Sequence, residues 1–100
     1  MTDFTMQVLD IIKSIPYGKV MTYGQIAAVA GNPRGARQVS RILHSMTDAH
    51  RLPWHRVINS KGGISLTGEA RFVQQNMLVQ EGIEVINNTI NLQKYGYQFD

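Results

Sequence analysis

Arg37, Arg41 and His44 stand at i, i+4 and i+7, so a helix through them would carry all three on one face. Such a row can grip phosphate, and a helical bundle yields the same row as solvated surface. A second concentration is Pro53-Trp54-His55-Arg56-Val57, which holds the only tryptophan of the chain. An indole has no available lone pair and only donates its N–H. What it supplies is a large flat apolar face, for a planar ligand or for a core. There is no cysteine, which removes thiol nucleophiles, thiolate metal sites and disulfides together. Neither a metal site nor a cofactor is expected.

One hundred residues make a single domain over 1–100, since two halves would each be too small to bury a useful core. Residues 1–60 carry seven Lys or Arg against three Asp, and residues 61–100 three against four acids, so the +3 net charge sits in the first half. A basic half on a small domain points towards nucleic acid, and solvated arginines give the same balance. No run approaches the roughly 18 apolar residues of a membrane span, and no secretory leader is visible. A cytoplasmic protein without membrane contact is expected.

Phe4, Val8, Ile11, Ile12 and Ile15 predict a first helix over Asp3 to Ile15, stopped by Pro16. Thr22-Tyr23-Gly24-Gln25 has the form of a capping box, with Ile26, Val29 and Ala30 inward on the helix that follows. A third helix is predicted from about Ala36 to Met46, buried through Val39, Ile42, Leu43 and Met46. Two short helices with a glycine turn between them fit a helix-turn-helix or a bundle. After Pro53 come a short apolar piece, a glycine turn at Asn59–Gly63, and a short extended piece over Ile64–Leu66. A fourth helix from about Glu69 to Glu81 would bury Val73, Met77 and Leu78, with Gly82 as its stop. The tail from Ile83 to Phe99 predicts a small hairpin or wing around Asn87-Asn88.

Pro53-Trp54-His55-Arg56-Val57 resembles the Pro-Cys-His-Arg-Val active-site motif of O6-alkylguanine-DNA alkyltransferases, with Trp in the cysteine position. That exchange is the hallmark of alkyltransferase-like proteins. Pro16-Tyr17-Gly18-Lys19-Val20, Thr22-Tyr23-Gly24-Gln25-Ile26-Ala27, Gly31-Asn32-Pro33 and Ala36-Arg37-Gln38-Val39 resemble the same family, and Glu81-Gly82 lies at the family's spacing after residue 54. The resemblance runs from about Ile15 to Gly82. It implies a mainly α, winged helix-turn-helix-like domain similar to the C-terminal DNA-binding domain of the alkyltransferases. It also implies a monomer that binds double-stranded DNA containing O6-alkylguanine, enters the minor groove, flips the damaged base and flags it for nucleotide excision repair proteins.

By the same resemblance, Tyr23 helps rotate the nucleotide out and Arg37 fills the gap in the stack, where a planar, always-charged guanidinium suits the orphaned cytosine. Thr22, Gly35, Ala36, Gln38 and Arg41 would contact DNA, with Gly35-Ala36 opening the recognition helix without bulk. Trp54, His55, Arg56, Leu43, Ile64 and Thr67 would line the lesion pocket, and Glu81 and Asn59 would support it. His55 and Glu81 match the relay that activates the family's thiolate, but residue 54 offers no nucleophile, so dealkylation by the family's route is chemically closed.

The chain departs from the catalytic pattern elsewhere. Catalytic relatives often have a larger N-terminal domain, which is not expected here, and Ser45-Met46-Thr47 takes the place of their usual Asn-Pro hinge. Thr67 and Ala49 stand where many have a pocket tyrosine and proline, which predicts a wider pocket that tolerates adducts larger than methyl. Three other readings compete. A winged-helix transcription regulator would bind undamaged DNA, and Gly35-Ala36 argues against base-reading side chains there. A glycosylase needs a carboxylate near the sugar or a lysine nucleophile, and no such constellation stands out. A protein-interaction domain without DNA binding would have little use for Tyr23, Arg37 and the basic half.

Overall fold

In the computed structural model, which describes residues 2–99, helix α1 spans Asp3–Ser14. Thr2 caps it by accepting from the Thr5 amide at 3.1 Å, and Asp3 and Lys13 complement the two ends of its dipole. Its apolar stripe of Val8, Leu9, Ile11 and Ile12 is buried, and the chain leaves the helix at Ile15, before Pro16. Strand β1 (Met21–Thr22) leads into α2 (Tyr23–Val29), then α3 (Ala36–His50). These three helices, joined by Leu52 and Val57, form one core.

The Thr22 hydroxyl caps α2 on the Gln25 amide at 3.0 Å, but Gln25 does not return to the cap. Its side-chain amide donates to the Tyr97 carbonyl and ties the C-terminal segment to α2. Val29, expected inward, is exposed, because Ile26, Ala27 and Ala30 already fill the buried face of this short helix.

Helix α3 continues past Met46 to His50 and ends on Arg51, whose φ of 52° turns the chain back. Ser45 donates to the Arg41 carbonyl at 2.9 Å and Thr47 to the Leu43 carbonyl, so the polar residues in place of a hinge bond along the helix and let it run on. A 3₁₀ turn at Trp54–Arg56 follows, and then β2 (Val57–Ile58), which pairs in parallel with β1, Met21 opposite Val57 and Thr22 opposite Ile58. The piece over Ile64–Leu66 is not a strand; only Gly63 bridges, to Thr89.

Helix α4 spans Gly68–Gln80. Its inward residues are Gln74 and Leu78, with Met77 half-buried, whereas Val73, expected inward, is exposed together with Phe72 and Val79. Strands β3 (Val85–Ile86) and β4 (Thr89–Ile90) make the expected hairpin, with Asn87 and Asn88 at φ 50° and 63° in its turn. Gly62 backs against it: at φ 82°, a Cβ there would stand 2.8 Å from the Ile90 carbonyl oxygen. A short α5 (Leu92–Tyr95) closes a second core of Val20, Ile58, Ile64, Leu78, Ile83 and Ile90. No helix among the described residues is long and apolar enough to cross a membrane.

Candidate functional site

Trp54 is placed by what flanks it. Leu52 is buried in the first core, the Trp54 amide donates to the Leu52 carbonyl at 2.8 Å, and the β1–β2 pairing fixes Val57 three residues on. The half-buried indole forms one wall of a half-open cavity of about 280 Å³. The other walls are Tyr23, Leu66 and Gln74, and the α3 face made of Ser40, Leu43, His44, Thr47 and Asp48. That volume lies at the small end of ordinary ligand sites, roughly 300–1,000 Å³, and suits a single planar group.

A second opening of about 300 Å³, on the outer surface, is lined by Tyr23, Gly24, Ala36, Arg37, Ser40, Asn59 and Ser60. Tyr23 and Ser40 border both openings and so stand between them. Burial pushes the Tyr23 hydroxyl above its usual range, partly offset by Ser65, so it stays a neutral phenol. Arg37 is exposed and pairs with no side chain among the described residues. The amides of Ala36, Arg37 and Gln38, in the first turn of α3, have no backbone partner.

Behind Trp54, the Glu81 carboxylate gathers three partners. His55 Nε2 lies 2.6 Å from Oε2, Arg56 donates from Nε at 3.0 and 3.1 Å and from Nη2 at 2.9 Å, and the Gly18 amide donates at 2.8 Å. Burial alone would raise the Glu81 pKa, but Arg56 first, then Gly18 and His55, hold it down at about 2. Arg56 Nη1 also donates to the Ile15 carbonyl at 2.9 Å, so this cluster joins α1, the Trp54 turn and the end of α4.

Several expected site residues fall elsewhere. His55 and Arg56 do not border the cavity, because both are turned onto Glu81. Ile64 is buried in the second core rather than in the pocket. Thr67 stands extended just before α4, with no side-chain bond to the helix, and its neighbour Leu66 is the lining residue; likewise Asp48 lines the cavity and Ala49 does not, since α3 continues through both. Gly35 is buried, and a Cβ there would meet Phe4 at 3.0 Å and Asn32 at 3.1 Å, so its small size serves packing beneath α3. Gln38 and Arg41 border a separate groove with Thr2, Phe4, Thr5 and Ile42, on the α1 side. Thr22 commits its hydroxyl to the cap, and Asn59 Oδ1 accepts from Lys61 and Gly63 at 3.0 and 2.9 Å, shaping the turn beside the outer opening.

Sequence reasoning placed Leu43 and Trp54 at the cavity and missed Ser40, His44, Thr47, Asp48, Leu66 and Gln74 as its walls. Ser40, Leu43, His44 and Thr47 stand at i, i+3, i+4 and i+7, a stripe readable as one face beside Arg37. Leu66 and Gln74 carry no local signal.

A family model described as the DNA-binding domain of 6-O-methylguanine DNA methyltransferase matches residues 3–83. A "DNA base-flipping protein" of Vibrio parahaemolyticus is 46% identical over 99 residues, covering 98% of this chain and 99% of the relative. The protein of the same name in Escherichia coli is 43% identical over 97 residues, covering 96% of this chain and 75% of the relative. Among solved structures, S. pombe Atl1 bound to damaged DNA containing O6-carboxymethylguanine superposes with a TM-score of 0.87 at 38% identity, over 99% of this chain and 98% of that one. With Trp54 in the motif's cysteine position and no cysteine elsewhere, the chain belongs to the 6-O-methylguanine DNA methyltransferase DNA-binding domain family as an alkyltransferase-like member.

Proposed function

We propose that this protein recognises O6-alkylguanine in duplex DNA without repairing it. α3 enters the minor groove, Arg37 takes the place of the departing base, Tyr23 assists the rotation, and the base comes to rest in the cavity beside Trp54. The observation that carries this is the half-open cavity walled by Trp54, Leu43 and Tyr23, which shares Tyr23 and Ser40 with the opening that holds Arg37. Stacking on an aromatic face contributes about 1–3 kcal/mol per base and offsets an unstacking cost of a few kcal/mol. A lesion that weakens its own pair lowers that cost, which gives selectivity without sequence reading.

No alkyl transfer follows, because displacement at the alkyl carbon needs a thiolate and position 54 carries an indole. His55 and Glu81 are then structural: they anchor the Trp54 turn. The bound complex, as a monomer on DNA, would be handed to nucleotide excision repair proteins. Relatives bearing the name "DNA base-flipping protein" and the Atl1 complex with damaged DNA support the scheme.

Competition binding by fluorescence anisotropy, with an O6-methylguanine duplex against its unmodified twin, tests it for wild type and Arg37→Ala. The wild type is expected to prefer the lesion, and the variant to lose that preference and some general affinity. Equal wild-type binding to both duplexes would favour a regulator of undamaged DNA instead.

A further inference from the structure

Tyr23, which borders both openings, is held in the short stretch Met21–Gly24, and that stretch is gripped from two sides. On one side β1 pairs with β2, Met21 opposite Val57 and Thr22 opposite Ile58, which fixes it to the strand that follows the Trp54 turn. On the other side lies the C-terminal segment Tyr95–Phe99, beyond the residues 3–83 that the family model matches. The Val20 amide donates to the Tyr95 carbonyl at 2.9 Å, the Tyr97 amide donates to the Val20 carbonyl at 2.8 Å, and Val20 bridges Gly96 in parallel. The Gln25 side-chain amide donates to the Tyr97 carbonyl, and a carbonyl partner settles which end of that amide is the NH₂ group. Tyr97 and Phe99 pack on the first core, against which Tyr23 packs as well.

The C-terminal segment is thus bonded to Val20, just before the stretch that holds Tyr23, and to Gln25, just after it. An end segment keeps such a place only where bonds and packing outweigh its lost freedom, and here they converge on the residues around one tyrosine. Gln25 is not among the residues that line either opening. We infer that the C-terminal segment is a strap that preorganises Tyr23 for base rotation, and that Gln25 is a positioning residue that acts through Tyr23 and not on DNA. The inference rests on the role given to Tyr23 under the proposed function. A tyrosine already in place loses little freedom when the nucleotide turns past it, so the strap favours the flipped complex and not the first encounter with an intact duplex.

The test reads the ratio of affinities for an O6-methylguanine duplex and its unmodified twin, by anisotropy, in wild type, Gln25→Met, Tyr23→Ala and the double variant. A smaller folded fraction weakens both duplexes by one factor and leaves the ratio alone, so the ratio separates positioning from a merely structural role. Gln25→Met, which keeps the length of the side chain and removes the donor, should lower the ratio about three- to tenfold, the range of one net hydrogen bond. Tyr23→Ala should lower it at least as far, with a residual preference left by Arg37 and the cavity, and the double variant should match Tyr23→Ala alone. Gly96→Ala should lower it too, because a Cβ there collides with the Leu92 carbonyl and the strap must shift. A wild-type ratio in Gln25→Met, or a further drop of the same size when it is added to Tyr23→Ala, would overturn the assignment. Should Gln25→Met not fold, Gly96→Ala, alone and with Tyr23→Ala, decides by the same criteria. Failure of the underlying reading shows separately, as a wild type that prefers neither duplex or a Tyr23→Ala variant that keeps the wild-type ratio.

Discussion

Replacing Glu81 by Gln removes the charge on which His55, Arg56 and the Gly18 amide converge. The carboxylate is held at a pKa of about 2 against an ordinary 4.5, and its side chain is 7% exposed, so solvent screening is small. At 1.36 kcal/mol per unit, that displacement corresponds to about 3 kcal/mol of folding stability at neutral pH. Leaving the half-buried Arg56 without its counter-charge acts in the same direction. For a domain of this length, about 3 kcal/mol lowers Tm by roughly 12–24 °C. Because the folded pKa lies below the unfolded one, the contribution is complete above about pH 4.5 and disappears as pH falls towards 2. Circular dichroism melts of wild type and Glu81→Gln from pH 7 to pH 2 measure it directly. The two melting curves should lie far apart at neutral pH and draw together between pH 4.5 and 2. Equal stability at pH 7, or a gap that does not narrow in that window, would refute the role assigned to Glu81.

Two further outcomes follow from the cavity walls. Trp54→Cys should give no stoichiometric alkyl transfer from an O6-methylguanine duplex, measured by intact-protein mass spectrometry, since a thiol needs activation as well as placement. Among the described lining residues Asp48 is the only carboxylate, so an adduct bearing a carboxylate should bind less tightly than O6-methylguanine. Asp48→Asn should recover about two- to fivefold for the carboxylate adduct in salt-controlled titrations, and no recovery would show that the mouth charge does not act.

The first core was legible because α1 repeats its apolar residues at helical spacing and Pro16 ends it; likewise the hairpin, because Asn87-Asn88 tolerates the positive φ that its turn demands. Periodicity misassigned Val73 for a physical reason. Counting apolar residues favours valine, while the inward place belongs to Gln74, whose carbonyl partners lie 17 and 19 residues away in the chain. The length of α3 was hidden in the same way, since Ser45 and Thr47 look like a break until their hydroxyls are seen bonded back into the helix. Gly35 looked like an opening for DNA, and only the position of Phe4 beneath it reveals the packing constraint. Residue types located the Trp54 motif; tertiary contacts decided which of its neighbours face the cavity and which face Glu81.

Trp54 is the only tryptophan of the chain, so intrinsic emission reports on the cavity wall itself. Titration with an O6-methylguanine duplex should quench that emission to saturation, as the flipped base stacks on the indole, with the alkyl group still on the DNA afterwards. The intact duplex at equal occupancy should leave most of the emission in place. Equal emission changes with both duplexes, or none with either while binding is evident, would contradict the claim that this indole receives the damaged base.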